Sequence, residues 1–383
     1  MSKSINIEKV KEFMQLKGLN QTSLADAVGV SRNMVSLWFK GESQPRANKL
    51  LKLALSLGVK VNDLYNEKPK ALPRVEFRKR GNCKITDEYK VEIQRNVRIL
   101  DRLAPYLPEG IKAMNRINNA NTDYAFLQRQ ANEFRRTFLN MTETDHLIAF
   151  GKICDYLSNT GTVVVPTLWN KGQHKATAFH AHLTDKDLRF IYINADTSIF
   201  DIRFWFLHEI AHILTPYMEE GSEESENFAD AFAGAVLFPR NLAEALQSKL
   251  ISAASLSARK ELLINTAKEL RISPISIFKE LEKYCNFIGE TMLLTGKDVY
   301  PLTAIVQKST PSAAKVIFDN REEGSALDFI NGSQKHFKTP FFESLKRYLS
   351  EEEKGSGAIA RMMCIPQIDA LEFYKALTLN EAK

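Results

Sequence analysis

The stretch Arg203 to Leu214, RFWFLHEIAHIL, decides how this chain is read. It carries His208, Glu209 and His212 in the order H-E-x-x-H, and on a helix two residues four apart share one face, within reach of a single ion. Two imidazoles suit zinc. Phe204, Trp205, Phe206, Leu207, Ile210, Ala211, Ile213 and Leu214 make the segment apolar on most sides, so the helix is expected to be buried. A buried helix seldom holds three ionisable groups without partners that satisfy them. So short a pattern also arises by chance, and its surroundings have to decide.

Downstream stand Glu219, Glu220, Glu223, Glu224 and Glu226, and proximity cannot choose a third ligand among them. Helical phase favours Glu226, at the start of ENFADAFAGAVLFP, with Glu223 as the next candidate. Asp230 lies one turn beyond Glu226, placed to accept a hydrogen bond from a ligand imidazole and fix its tautomer. A catalytic zinc takes three protein ligands and leaves a position for water, whereas a purely structural zinc would need a fourth ligand, and none is evident. Upstream, His174, His180, His182 and Tyr192 are candidate donors to a developing oxyanion, although a lone histidine is more often structural. The segment RFIYIN before the metal helix reads as a strand, and as an edge strand it would hold an extended substrate by backbone hydrogen bonds.

This constellation resembles the ImmA/IrrE family of metallopeptidases, in which H-E-x-x-H is followed by an E-x-x-A-[DN]-x-F-A run ending in proline. The matching residues are Glu226, Ala229, Asp230, Phe232, Ala233 and Pro239, and the likeness extends over about residues 120 to 285. The tail reads VLFP where LLMP is more usual. The resemblance implies a zinc endopeptidase in which Glu209 acts as general base and then protonates the leaving amine. It also implies a protein substrate, often a transcription factor, cut at a restricted site.

Residues 1 to 65 read as five short helices, at about 7–17, 21–28, 32–40, 46–57 and 61–65, punctuated by Gly18, Gly29, Gly41 and Gly58. Gln21 opens the second, Gly29 makes the turn and Ser31 caps the third, with Met34, Val35 and Trp38 expected in the core. Arg32, Asn33, Ser36, Leu37 and Lys40 are left on the outer face. Arg32 and Asn33 can pair bidentately with base edges, while Gln21, Ser31 and Lys40 suit phosphates. About 60 residues here resemble the XRE (Cro/repressor-like) helix-turn-helix family, through Gln21, Ala25 to Ser31, Trp38, Gly41 and Pro45. That resemblance implies binding of double-stranded operator DNA as a homodimer on a two-fold site.

The whole chain has 383 residues with 44% hydrophobic and 26% charged, enough for two or three folded domains. Its net charge of +6 is too modest to establish nucleic-acid binding alone, but residues 1–65 hold ten Lys or Arg against five Asp or Glu. The start has no apolar leader and no run reaches a membrane-spanning length, so a cytoplasmic protein with no membrane partner is expected. Four scattered cysteines form neither a disulfide framework nor a zinc pair.

The expected fold is mainly α with an α+β part. A helix-turn-helix domain covers 1–66, a linker and helical connector 67–120, a zincin-like α+β metallopeptidase core 121–239, a helical extension 240–288, and a small α/β region 289–383. Within the connector, KPKALPRVEFRKRGNCK reads as a linker or extended arm, and its Phe77–Lys79 resembles the segment that joins the two domains in bacterial and phage regulators of this architecture. In the last region LTAIVQ and AAKVIFD read as strands. Two functions compete. One is a regulator that proteolyses itself or a partner regulator under stress, phage or mobile-element signals. The other is a repressor or antitoxin whose zinc domain senses a ligand or binds a partner such as a toxin without turnover. An intact Glu209 favours the first, because a binding module has no need of it.

Overall fold

The computed structural model describes residues 5–65, 73–79, 86–108, 116–142, 144–168, 176–183, 188–219, 221–321 and 323–379. The chain divides into two compact units, Met1–Ala71 and Leu72–Lys383. It is mainly helical, with one small sheet.

The first unit contains α1 (Ile7–Leu16), α2 (Gln21–Val28), α3 (Arg32–Phe39), α4 (Ala47–Leu57) and a closing 3-10 turn, Val61–Leu64. Val10, Leu24, Ala25, Val28, Val35, Trp38, Leu50 and Leu53 form its core. Asn20 caps α2 through a reciprocal pair with Ser23, and Gly29 ends it at φ 70°, a left-handed conformation that a side chain would strain. Lys49 Nζ then reaches the Gly29 carbonyl at 2.6 Å, so α4 ties down the turn that sets α3 against α2. Met34 is a correction: it is 38% exposed, because it lies off the arc that Val35 and Trp38 bury.

In the second unit four strands, β1 (Arg74–Lys79), β2 (Thr162–Thr167), β3 (Ala176–Leu183) and β4 (Leu188–Asn194), form a sheet in the order β1-β3-β4-β2. β2 and β4 are parallel and the other pairs antiparallel. Two expectations change here. The RVEFRK part of the supposed linker is a strand, β1, and RFIYIN is interior, because β4 is paired on both sides. The helices that precede and flank the sheet are α5 (Asp87–Val97), α6 (Tyr124–Thr137) and α7 (Phe150–Asn159).

The two helices that carry the metal residues follow, α8 (Ile199–Leu214) and α9 (Glu223–Leu237). Ser198 caps α8 and Ser222 caps α9, whose first turn holds Glu223, Glu224 and Glu226, the charge sign its dipole favours. Gly234 lets α9 lie deep: a Cβ there would stand 2.2 Å from Glu280 Oε1 on α12 (Pro274–Ile288). Two buried arginines hold the helix ends. Arg203 Nη1 donates to the carbonyls of Leu270 (3.1 Å) and Arg271 (2.9 Å) at the end of α11 (Leu256–Leu270). Arg135 Nη1 donates to Val236 of α9 at 2.7 Å. Each supplies donors to carbonyls a helix terminus leaves unsatisfied, and burial pushes both guanidinium groups down to about 10.

The rest is α10 (Arg240–Ser252), α13 (Gly296–Ser309), α14 (Ala313–Ile317), α15 (Ala326–Phe337), α16 (Phe341–Glu351), α17 (Ser356–Met363) and α18 (Gln367–Thr378). LTAIVQ therefore lies in α13 and the AAKVI of AAKVIFD forms α14, and the region after residue 289 has no named strand among its described residues. The local signals were caps rather than β-branched content. Thr295 and Asp298 form a capping box, Ser312 caps α14, and Val299, Leu302 and Val306 bury one helical face.

Asp201, in the first turn of α8, has no ionic partner among the described residues, and burial pushes its carboxyl up to about 6. The folded chain therefore keeps a proton that the unfolded chain loses at an ordinary carboxylate value near ~3.9, and stability falls as pH rises across that window. Asp201→Asn is expected to raise stability at pH 7.5 by about 2 kcal/mol, with the gain gone near pH 4. Urea unfolding at the two pH values measures it, and an equal gain at both would refute the burial account.

Candidate metal centre and nucleic-acid interface

α8 and α9 bring His208, His212 and Glu226 together, with one ligand atom from each lying within 4.8 Å of the others. The two Nε2 atoms are 3.0 Å apart. Glu226 Oε2 lies 3.4 Å from His208 Nε2 and Oε1 3.3 Å from His212 Nε2. The outer nitrogens are held from α9: His208 Nδ1 lies 2.7 Å from Asp230 Oδ1, and His212 Nδ1 lies 3.1 Å from Ser225 Oγ. An Nδ1–H donated to a carboxylate leaves Nε2 as a lone pair. The His208 Nε2 lone pair, the His212 Nε2 and the Glu226 carboxylate converge on one point, an arrangement that a cation would satisfy.

A neutral pair of imidazoles with one carboxylate is a donor set that zinc accepts, and it leaves room for a fourth ligand. The residues therefore fit the ion. The imidazoles are buried, while Glu226 is 29% and Asp230 58% exposed, so the opening lies on the α9 side. Glu223 is exposed and is not in the cluster. Ser225 was not foreseen. It stands next to Glu226 in sequence, but a serine beside a glutamate carries no distinguishing signal.

Glu209 is not one of the three clustered ligands, and it contacts the sheet. Its Oε2 lies 3.2 Å from His180 Nδ1, and both side chains are buried. His180 and His182 stand two apart on β3, on one face of the strand, with rings 6.1 Å apart and nearly parallel. Tyr192 is excluded from this face. Its ring stacks at 4.2 Å on its register partner Phe179, and its hydroxyl donates to the Met362 carbonyl of α17 on the other side of the sheet. Burial pushes that phenol well up, which suits a structural group. His174 lies outside the described residues.

In the first unit, Arg32, Asn33, Ser36 and Lys40 span about a 100° arc of α3 at 100° per residue. Arg32, Asn33 and Lys40 are exposed and Ser36 half-buried, while Val35 and Trp38 occupy the opposite side. Ser31 is exposed, but its hydroxyl accepts from Met34 N at 3.2 Å and so caps α3. Gln21 is half-buried at the start of α2. The outer face of α3 thus combines a guanidinium, an amide and an ammonium on one side of a short helix, the chemistry that reads a major groove.

The family model described as helix-turn-helix matches residues 10–64, and that of the IrrE N-terminal-like domain matches 158–277. The chain therefore fuses an XRE-type DNA-binding domain to a peptidase-like domain, the make-up of a DNA-binding regulator. No curated protein sequence matches it.

Among solved structures, one match is Bacillus thuringiensis PlcR in complex with the peptide PapR7 and DNA, at 11% identity over 93% of this chain and 98% of that one, TM-score 0.17. Another is ComR from Streptococcus suis, at 10% identity over 98% and 93%, TM-score 0.15. At such scores neither bears on fold or function.

With Asp230 Oδ1 2.7 Å from His208 Nδ1, Asp230→Ala is expected to weaken zinc binding about 10–100-fold while leaving the fold intact. Competition with a chromogenic chelator measures it. Unchanged affinity would show that the Asp230 contact does not tune the imidazole.

Proposed function

We propose that this chain is a cytoplasmic, homodimeric DNA-binding regulator whose second unit is a zinc-dependent endopeptidase that cuts itself or a partner regulator. The observation that carries the peptidase reading is Glu209, next to His208 in sequence, buried and held by His180 at 3.2 Å. A metal site used only for binding has no use for a fourth ionisable group fixed next to it. His208, His212 and Glu226 would hold the ion. Bound zinc would lower the pKa of a water toward ~7 and stabilise charge developing on a peptide carbonyl oxygen.

The chain's own residues do the rest. Glu209 takes a proton at its carboxylate and returns it to the departing amine. His180 orients that carboxylate, and Asp230 and Ser225 hold the two imidazoles by their Nδ1 atoms so that both Nε2 atoms face inward. His182, beside His180 on the same strand face, is within the same wall of the site and is the remaining histidine for an oxyanion donor.

Two substitutions test the two halves. Glu209→Gln is expected to keep one zinc per chain and to abolish cleavage when the chain is co-expressed with the products of neighbouring genes. Equal fragments from wild type and variant would end the peptidase reading. Arg32→Ala combined with Asn33→Ala is expected to weaken binding to DNA selected by the wild-type chain by about 2–4 kcal/mol at fixed salt. Unchanged mobility shifts would reject α3 as the reading helix.

A further inference from the structure

A peptide attacked beside Glu209 has to lie along the strand nearest to it, and that strand is β3, which carries His180. β4 is closed to it by pairing on both sides. The outer edge of β2 is covered, since Thr339 Oγ1 donates to the Val164 carbonyl and α16 packs beside the strand. Neighbouring strands run about 4.8 Å apart, so an extended chain hydrogen-bonded to β3 would pass within one strand spacing of the His180–Glu209 pair.

That place is taken by the chain itself. β1 pairs antiparallel with β3 over Arg74–Lys79, with Glu76 opposite His180 and Phe77 opposite Phe179. The segment is a poor core strand. Four of its six residues are charged, the register slips between Arg78 and Lys79, and Val75 is only partly buried against the core. β2, by contrast, is buried at every position. A charged, bulged strand can serve merely to blunt a sheet edge, but its register places it where a substrate would run.

We infer that β3 is the edge along which an extended peptide substrate pairs, and that Arg74–Lys79 is its resident occupant, a built-in substrate mimic that has to leave before another chain can bind. This rests on the peptidase reading for the word substrate, but the pairing itself is tested without turnover.

The test uses the full-length, zinc-loaded Glu209→Gln chain, with and without replacement of Arg74–Lys79 by a Gly/Ser segment of equal length. The probe is a fluorescein-labelled peptide of sequence RVEFRK, followed by anisotropy. The replaced chain is expected to bind it about tenfold or more tighter than the unreplaced one, because a tethered strand competes at high effective concentration. The same peptide carrying proline at its second and fourth positions is expected not to bind, since proline cannot donate to the ladder. Equal affinity for the two chains, or equal binding of the proline peptide, would overturn the proposal.

Hydrogen exchange on the unmodified chain covers the case in which the replacement does not fold. Amides of β1 are expected to exchange at least about tenfold faster than those of β2 and β4. Equal protection would make β1 a fixed member of the sheet and likewise overturn it. Peptide binding by a chain that cleaves nothing would leave this inference standing and remove only the peptidase reading.

Discussion

Two imidazole nitrogens 3.0 Å apart, closed by a carboxylate at 3.3 and 3.4 Å, concentrate polar groups in a buried place that has to be held together. Each group would prefer water, and together they repel. They stay converged because neither helix can back away. α8 is buried along most of its length, with Arg203 tying it to the end of α11, and α9 is drawn down by Gly234 against Glu280 and held at its far end by Arg135. These anchors hold the two helices at a separation that a cation would suit.

The helical parts of this arrangement were legible because their signals are local. H-E-x-x-H fixes a face by spacing alone, and the phase of Glu226 and Asp230 follows once α9 is recognised. In the first unit the turn glycines and the Ser31 cap mark helix ends that lie within a residue or two of where the spacing puts them. Lys49 closing on Gly29 was not readable, since it joins residues twenty apart through a side chain with many possible uses.

The sheet was harder, because strand order is not a local property. RFIYIN reads as a strand, but that it is interior depends on its pairing with both β2 and β3, and whether β3 in turn is an edge depends on RVEFRK, about a hundred residues earlier, whose alternation is hidden by flanking proline and cations. The same order decides which side chains meet the site. Tyr192 lies close in sequence to the metal helix yet stacks with Phe179 on the far face, while His180, one residue from Phe179, faces Glu209. In the last region, β-branched runs suggested strands and lost to helix caps, a case where termini carried more information than composition.

Glu209 and Glu226 are chemically alike, but their surroundings differ. Glu226 comes from a different helix, is partly open to solvent, and meets both imidazoles. Glu209 follows His208 directly, so helical geometry turns it about 100° away from the imidazole stripe and toward the sheet. It cannot share the ion on the same terms as Glu226, and once buried it needs a polar partner. His180 on β3 is that partner, so the sheet supplies a polar contact as well as packing. The strand paired with β3 therefore runs beside the residue that holds Glu209, which gives the charged segment Arg74–Lys79 a position that its composition alone would not suggest.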